Sequence, residues 1–424
     1  MQNILIDNLR DLRQSGRECV LLYSGGIDSS YFLLWAKKNN IRVTALHVGL
    51  DPEEDAAQIR ARAEGLGARC ITVDGVGIFA DEYIAPAIHA HGLYQQHFPV
   101  CSALSRPLMA RLAVELAEKE GLSCIVHTST FVQNSCSRFN NAIRILGPEL
   151  LIATPFIKEP IRRREKLAAL HQAGVDIEDS VYSIDENIWG RVIECGELDD
   201  PGNIVPEHVF KWTGGQARTD AVELAITFEK GLPIAIDNKK LSLAEIILML
   251  RQLGGSFRIG RYNGLEDTEL GLKNHEVRES PAAAILIAAH MALERALLNR
   301  DELRIKGLLE AEWTDLVVRG RWYSTLRESL TRFMEQINGL VNGEVVLRLE
   351  SGSVMVAALR SSRALHFWNG ARAGIDSLYS DFSYREFFEI NSFSTNHQAG
   401  CGYDPGKSMD SSTGAEPFQN KKIP

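Results

Sequence analysis

The 424-residue chain is too long for one ordinary domain and predicts two or three. Hydrophobic content of 45% and charged content of 24% describe a soluble globular protein with a sizeable core, and the formal net charge of -9 offers no basic footprint for nucleic acid. Seven cysteines, an odd number without a C-x-x-C pair, exclude a disulfide framework and a zinc ribbon and predict a reduced, cytoplasmic setting.

Residues 1–18 mix charges without an apolar stretch, so they read as an N-terminal extension and not as a signal peptide. Cys19–Tyr23 is a continuous apolar run, the pattern of a strand buried on both faces. It leads through Ser24-Gly25-Gly26 into a helix reaching Trp35. Arg42–Val48 is the next strand, Asp55–Leu66 a helix stopped by Gly67, and Cys70–Val73 a third strand. Leu104–Glu120 carries leucines at helical spacing. Cys124–His127 and Leu150–Thr154 are a fourth and a fifth strand. This alternation predicts an α/β fold with a parallel sheet covered on both sides, spanning residues 19–179. Beyond it, strong helices at Leu241–Leu253 and Pro281–Leu298, and a hairpin turning at Glu350-Ser351-Gly352, predict a second, α+β domain over residues 180–394. The apolar stretch Ala282–Leu293 contains His290 and is too short to span a bilayer. Residues 395–424 are rich in Gly, Ser, Asn and Pro and read as a flexible tail.

The first strand runs into Ser24-Gly25-Gly26-Ile27-Asp28-Ser29-Ser30 at the start of a helix. Two glycines let the backbone turn tightly around an anion, and a helix N-terminus offers free N–H groups and a positive dipole end. Ser24, Ser29 and Ser30 add hydroxyls, and Asp28 could cap the turn or hold Mg²⁺ against phosphates. The string lacks the lysine of the Walker loop, which argues against γ-phosphate transfer.

This SGGxDS string resembles the PP-loop of the ATP pyrophosphatases. Four further segments resemble the argininosuccinate synthase family: Phe79–Tyr94 (FADEYIAPAIHAHGLY), Leu104-Ser105-Arg106-Pro107, Tyr182–Pro201 (YSIDENIWG and ECGELDDP), and Gly260-Arg261 through Glu266 to Glu279-Ser280-Pro281. His127–Phe139 lies where that family has H-G-x-T-G-K-G-N-D-Q-x-R-F. The resemblance covers roughly residues 19 to 390 in order. It implies a homo-oligomer, tetramer or dimer, with a C-terminal arm reaching between subunits. It also implies a ligase that uses ATP with Mg²⁺ to adenylate a ureido oxygen, which an amine then attacks. By position, Ser24, Gly25, Gly26, Asp28, Ser29 and Ser30 would hold pyrophosphate, with Tyr23 and His47 beside the nucleotide. Asp28, Arg106 and His127 would serve the reaction region. Ser102, Thr130 and Ser135 would face the amine substrate, and Asn134 and Arg138 would lie between the two substrates. Phe98, Ser183, Glu266 and Arg278 would face the ureido substrate.

Other roles stay open for several of these: a turn cap for Ser183, a surface acid for Glu266, a structural ion pair for Arg138 and a satisfied histidine for His127. The departures from the family pattern fall at substrate positions. Phe98 stands for a Tyr, Ala103 and Val192 for Ser, Arg278 for a Tyr, Ser135 for an Asp, Thr128 for a Gly and Leu50 for a Gln. Phe131, Val132 and Gln133 replace Gly-Lys-Gly. Each lost hydrogen bond to a charged group is worth about 1.5–3 kcal/mol. The departures therefore point to a paralogue with altered substrates, Arg278 favouring a carboxylate-bearing one. The alternatives are a genuine argininosuccinate synthase, a catalytically inactive nucleotide-binding regulator, and a tRNA thiolase using Cys101 and Cys195.

Overall fold

In the computed structural model, which describes residues 5–130, 133–177 and 179–365, the first half builds a six-stranded sheet. Its strands and helices alternate along the chain: β1 (Leu5–Ile6), β2 (Cys19–Leu22), α1 (Ile27–Lys38), β3 (Val43–Gly49), α2 (Ala56–Gly65), β4 (Arg69–Asp74), α3 (Ser102–Glu120), β5 (Cys124–Val126), α4 (Asn134–Leu146), β6 (Leu151–Ala153) and α5 (Arg163–Gln172). The strands lie in the order β1-β6-β5-β2-β3-β4, and every pairing is parallel. Residues 5–6, within the stretch expected to be an extension, supply an edge strand paired with β6. All four residues of β2 are buried, as its unbroken apolar run requires.

Strand order reverses between β2 and β5. Their C-terminal ends therefore diverge into a crevice, the usual ligand site of an open α/β sheet. The glycine loop leaves β2 there, and His127 leaves β5 beside it.

The second half begins with β7 (Ser183–Asn187), β8 (Gly190–Glu194), β9 (Val222–Glu229), β10 (Leu232–Ile236), α6 (Leu243–Ser256), β11 (Arg261–Asp267) and β12 (Lys273–Glu279). It continues with α7 (Pro281–Leu297), α8 (Arg300–Val318), α9 (Thr325–Asn338), β13 (Gly343–Glu350) and β14 (Ser353–Arg360). One antiparallel sheet runs β11-β12-β8-β7, and a second contains β10-β9-β13-β14, closing with the hairpin expected at Glu350–Gly352.

Alternation along β2 divides the core. Cys19, Leu21 and Tyr23 point to one face, among Phe32, Leu33 and Leu170 of the flanking helices. Val20 and Leu22 point to the other, and that core runs on through Leu104 and Leu108 into Ile246, Leu286 and Trp313 of the second half. The described residues up to Leu365 accordingly pack as one compact unit. No helix among the described residues is long and apolar enough to cross a membrane. The predicted tail and oligomer arm, the end of the second domain and the loop positions Phe131 and Val132 lie outside the described residues.

Candidate active site

A cavity of about 810 Å³ opens at the C-terminal ends of β2, β3 and β5. Tyr23, Ser24, His47 and His127 line its sheet end; Ser102, Arg106, Thr130, Asn134, Ser135 and Arg138 line its middle. The antiparallel sheet β11-β12-β8-β7 closes the far end with Ser183, Glu194 and Glu266. Candidates scattered over 240 residues of sequence thus meet in one chamber.

The glycine loop is shaped as its sequence requires. Gly25 takes φ +75, and an added Cβ would lie 3.2 Å from Ile59, so only glycine fits without strain. Arg62 donates to the Gly25 carbonyl at 2.6 Å and fixes the turn. The Ser24 and Ser29 hydroxyls lie 3.3 Å apart, and Ser30 Oγ lies 3.1 Å from the Tyr23 hydroxyl. Gly26 caps α1 without any side-chain hydrogen bond, so no capping side chain takes up the first-turn N–H groups that a helix leaves without intrahelical partners. Asp28 sits in that turn, where Lys166 of α5 donates to its carboxylate at 2.7 Å. α3 and α4 also start without side-chain caps, at Ser102 and Asn134 on the cavity wall. Helix N-termini on the wall and at the loop make the region hospitable to phosphate.

His47 is buried, its Nδ1 3.3 Å from the Tyr23 carbonyl and its Nε2 3.4 Å from the Glu54 carboxylate. His127 Nε2–H donates to Asn140 Oδ1 at 2.9 Å. Its buried Nδ1 has no partner, leaving one acceptor for a bound ligand. Burial pushes His127 down to about 4 against the pull of the Asn140 hydrogen bond, so the ring is neutral at ordinary pH. Arg106 forks onto Asp185 at 2.6 and 3.2 Å and also donates to Ser135 at 3.2 Å.

At the far end Glu266 is the hub. Asn134 donates to it at 2.7 Å, Arg138 at 2.8 Å and Arg278 at 2.8 Å. Burial alone would raise this carboxyl, but the two guanidiniums outweigh burial and hold it below the usual carboxylate range. Arg278 also pairs with Glu276 and lies 4.1 Å over the Phe98 ring. Gly264 lets Phe98 approach, since a Cβ there would lie 2.7 Å from the ring. Phe98 and Arg278 stand behind the cavity wall and not in its lining. The cation expected to greet a substrate is thus 2% exposed and already neutralised by two glutamates.

Sequence reasoning missed Asp185, Glu194, Glu276 and Lys166. Period-2 alternation puts Asn274, Glu276 and Arg278 on one face of β12, opposite Glu266 of β11 and beside Glu194 of β8. Reading 274, 276 and 278 as alternate strand positions would have found that cluster. Cys101, one of the two sulfur candidates, is fully buried between the Gly190 carbonyl and Asn187. Burial pushes its thiol up to about 12, which removes the thiolate that sulfur transfer needs.

Two family models match the chain: the arginosuccinate synthase N-terminal HUP domain over residues 18–176 and the arginosuccinate synthase C-terminal domain over residues 182–397. Curated argininosuccinate synthases are similar along most of their length. That of Pyrococcus furiosus is 38% identical over 351 residues, 82% of this chain and 86% of the relative. That of Pyrobaculum aerophilum is 40% identical over 349 residues, 81% and 88%. That of Rubrobacter xylanophilus is 34% identical over 398 residues, 92% and 97%.

Proposed function

The chain belongs to the argininosuccinate synthase family and is an ATP-dependent, AMP-forming carbon–nitrogen ligase, and we propose that it carries out the reaction its relatives are named for, joining citrulline to aspartate. The observation that carries this reading is Asn134, Arg138 and Glu266 bonded together on the cavity wall within a chain 34–40% identical to those relatives. In this reading the ureido oxygen of citrulline attacks the α-phosphorus of ATP and pyrophosphate leaves. The aspartate amine then attacks the ureido carbon, and the oxygen departs with AMP. The first turn of α1 and the loop hydroxyls stabilise the leaving pyrophosphate, and the cavity aligns the three reacting groups. His127 Nδ1 accepts a hydrogen from a bound ligand. Mg²⁺ suits the half-exposed Asp28 carboxylate, one of whose oxygens Lys166 leaves open, and would neutralise phosphate charge there. Six described cysteines, none of them in a disulfide, fit a cytoplasmic setting, and the family resemblance supports a homo-oligomer.

A second reading, altered substrates, is favoured by the far end of the cavity. Arg278 and Phe98 present neither a hydroxyl nor a free cation to the cavity, and Ser135 presents no carboxylate to an ammonium.

Pyrophosphate release from Mg·ATP across a matrix of ureido compounds and amines separates these readings. Release with citrulline plus aspartate at ordinary enzymatic efficiency is expected. Silence in that cell with release in another would transfer the reaction to new substrates. Nucleotide binding with silence throughout would make the chain a regulator.

A further inference from the structure

Two hydrogen-bond acceptors face each other at the sheet end of the cavity. His47, near the C-terminal end of β3, is 3% exposed and lines the chamber. Its Nδ1 lies 3.3 Å from the Tyr23 carbonyl. A carbonyl only accepts, so in the neutral ring the hydrogen sits on Nδ1 and Nε2 is a lone-pair acceptor. Nε2 lies 3.4 Å from the Glu54 carboxylate, makes no hydrogen bond with it, and is buried without a partner. Glu54 lines the cavity with its side chain 35% exposed, and among the described residues no lysine or arginine pairs with it. A buried acceptor left unpaired is costly, and a group that gives a hydrogen to each of these two would relieve both.

The loop that carries Glu54 is held from the second half of the chain. Arg251 of α6 pairs with Asp51 and, at 3.0 Å, with Glu53, and its guanidinium lies 4.6 Å from the Trp212 ring. The Ile188 N–H donates to the Leu50 carbonyl at 2.9 Å, and the Glu54 N–H to the Asp51 carbonyl at 3.1 Å. The Ala56 N–H, at the start of α2, donates to the Glu54 carbonyl at 2.9 Å. The backbone on both sides of Glu54 is thus fixed where its carboxylate meets His47.

The position of the pair selects its ligand. β3 is paired with β2, one strand spacing or about 4.8 Å away. His47 bonds the residue that precedes Ser24 of the phosphate loop. The part of ATP that falls here is the one next to its phosphates, the ribose. In dinucleotide-binding sheets a carboxylate about twenty residues beyond the glycine loop takes a ribose hydroxyl. A vicinal diol carries one hydrogen for each of the two acceptors.

We infer that His47 Nε2 and the Glu54 carboxylate form the receptor for the ribose diol of ATP and make the chain selective for ribonucleotides over deoxyribonucleotides. The inference rests on the ATP-dependent ligase reading and can fail separately from it.

The test is calorimetric titration of the full chain with the magnesium complexes of ATP, 2′-deoxy-ATP and 3′-deoxy-ATP. The parent should bind at least one deoxynucleotide more weakly than ATP, by on the order of tenfold to a hundredfold, the loss of one hydrogen bond to a charged group. Glu54→Gln keeps the shape, and its amide can donate to Nε2 and close the site by itself. His47→Asn keeps a donor for the Tyr23 carbonyl and lacks the Nε2 acceptor. In both variants the ratio of the two Kd values should fall to within about threefold of one, because affinity is lost for ATP alone. An unchanged Kd for the deoxynucleotide then shows that the variant is folded. Equal affinity for all three nucleotides in the parent, or a ratio that survives in both variants, overturns the receptor and leaves the ligase standing. A parent that binds no ATP overturns both.

Discussion

An imidazole at 1% exposure has almost no water to solvate a charge, and His127 is held neutral for that reason. Its folded-state pKa, about 4, lies below the value near 6.5 of an unfolded chain. The stability this contributes is therefore complete above pH 6.5 and is lost as pH falls toward 4, at about 1.4 kcal/mol per pH unit. His89, also pushed down to about 4 by burial, adds an equal slope. Burial lowers His290 as well and adds a third such slope, so the midpoint of thermal unfolding should fall as pH is lowered from 7 to 5, and His127→Gln should flatten that decline by roughly a third. An unchanged slope in the variant would show that the ring is already solvated. Residues such as these divide by how local their signal is. The glycine loop was legible because its chemistry sits in seven consecutive residues, and Asn134, Arg138 and Glu266 were reached through the family resemblance. Arg278 misled, because a lone arginine in a sequence looks like a free cation. Its partners Glu266 and Glu276 are set beside it only once β11 and β12 pair.

Elements decide how tightly the loop is held. The αL conformation of Gly25 and the nearby Ile59 of α2 tie the phosphate site to the helix covering it. Gly25→Ala should cost about 1–2 kcal/mol from the positive φ alone. It should raise the KM for ATP while leaving the carbonyl substrate's KM in place. A variant with normal ATP affinity would mean that the loop relaxes at no cost. From the other side, α5 holds the loop through Lys166, which also lies 4.0 Å over the Phe156 ring. Lys166→Met removes the partner of Asp28, and the Mg²⁺ dependence of turnover should shift, because the freed carboxylate competes for the metal. Identical magnesium curves would exclude Asp28 from metal binding. Strands buried on both faces were readable as apolar runs. β1 was not, since two residues carry no periodicity and their pairing with β6 spans almost 150 positions.

Across the whole molecule, sequence predicted two domains meeting near residue 180, and the family models divide at 176 and 182. One face of the parallel sheet nevertheless shares its apolar core with α6, α7 and α8, a continuity no local pattern could reveal. A buried polar network lies in the same region. His91 touches Glu294 at 3.2 Å and Glu310 at 2.9 Å, and Lys306 pairs with both glutamates. His290 lies against His91 at 2.9 Å and Asn338 at 2.7 Å. Burial and the Lys306 charge oppose a charge on His91, yet the two glutamates raise its pKa above the usual imidazole value, which favours a second cation facing the two anions. The Lys306 ammonium, 1% exposed, already pairs with Glu294 of the His91, His290 and Glu294 group that could hold a metal, and zinc should leave the unfolding midpoint unmoved. Lys306→Met strands one buried carboxylate and should cost about 3–5 kcal/mol in urea unfolding. Adding Glu310→Gln to it restores two-sided neutrality, so the double variant should recover at least about 1 kcal/mol of that loss. Recovery of nothing would mean that the lysine acts through its packed methylene stem and not through its charge, because only the charge can be matched by removing an anion.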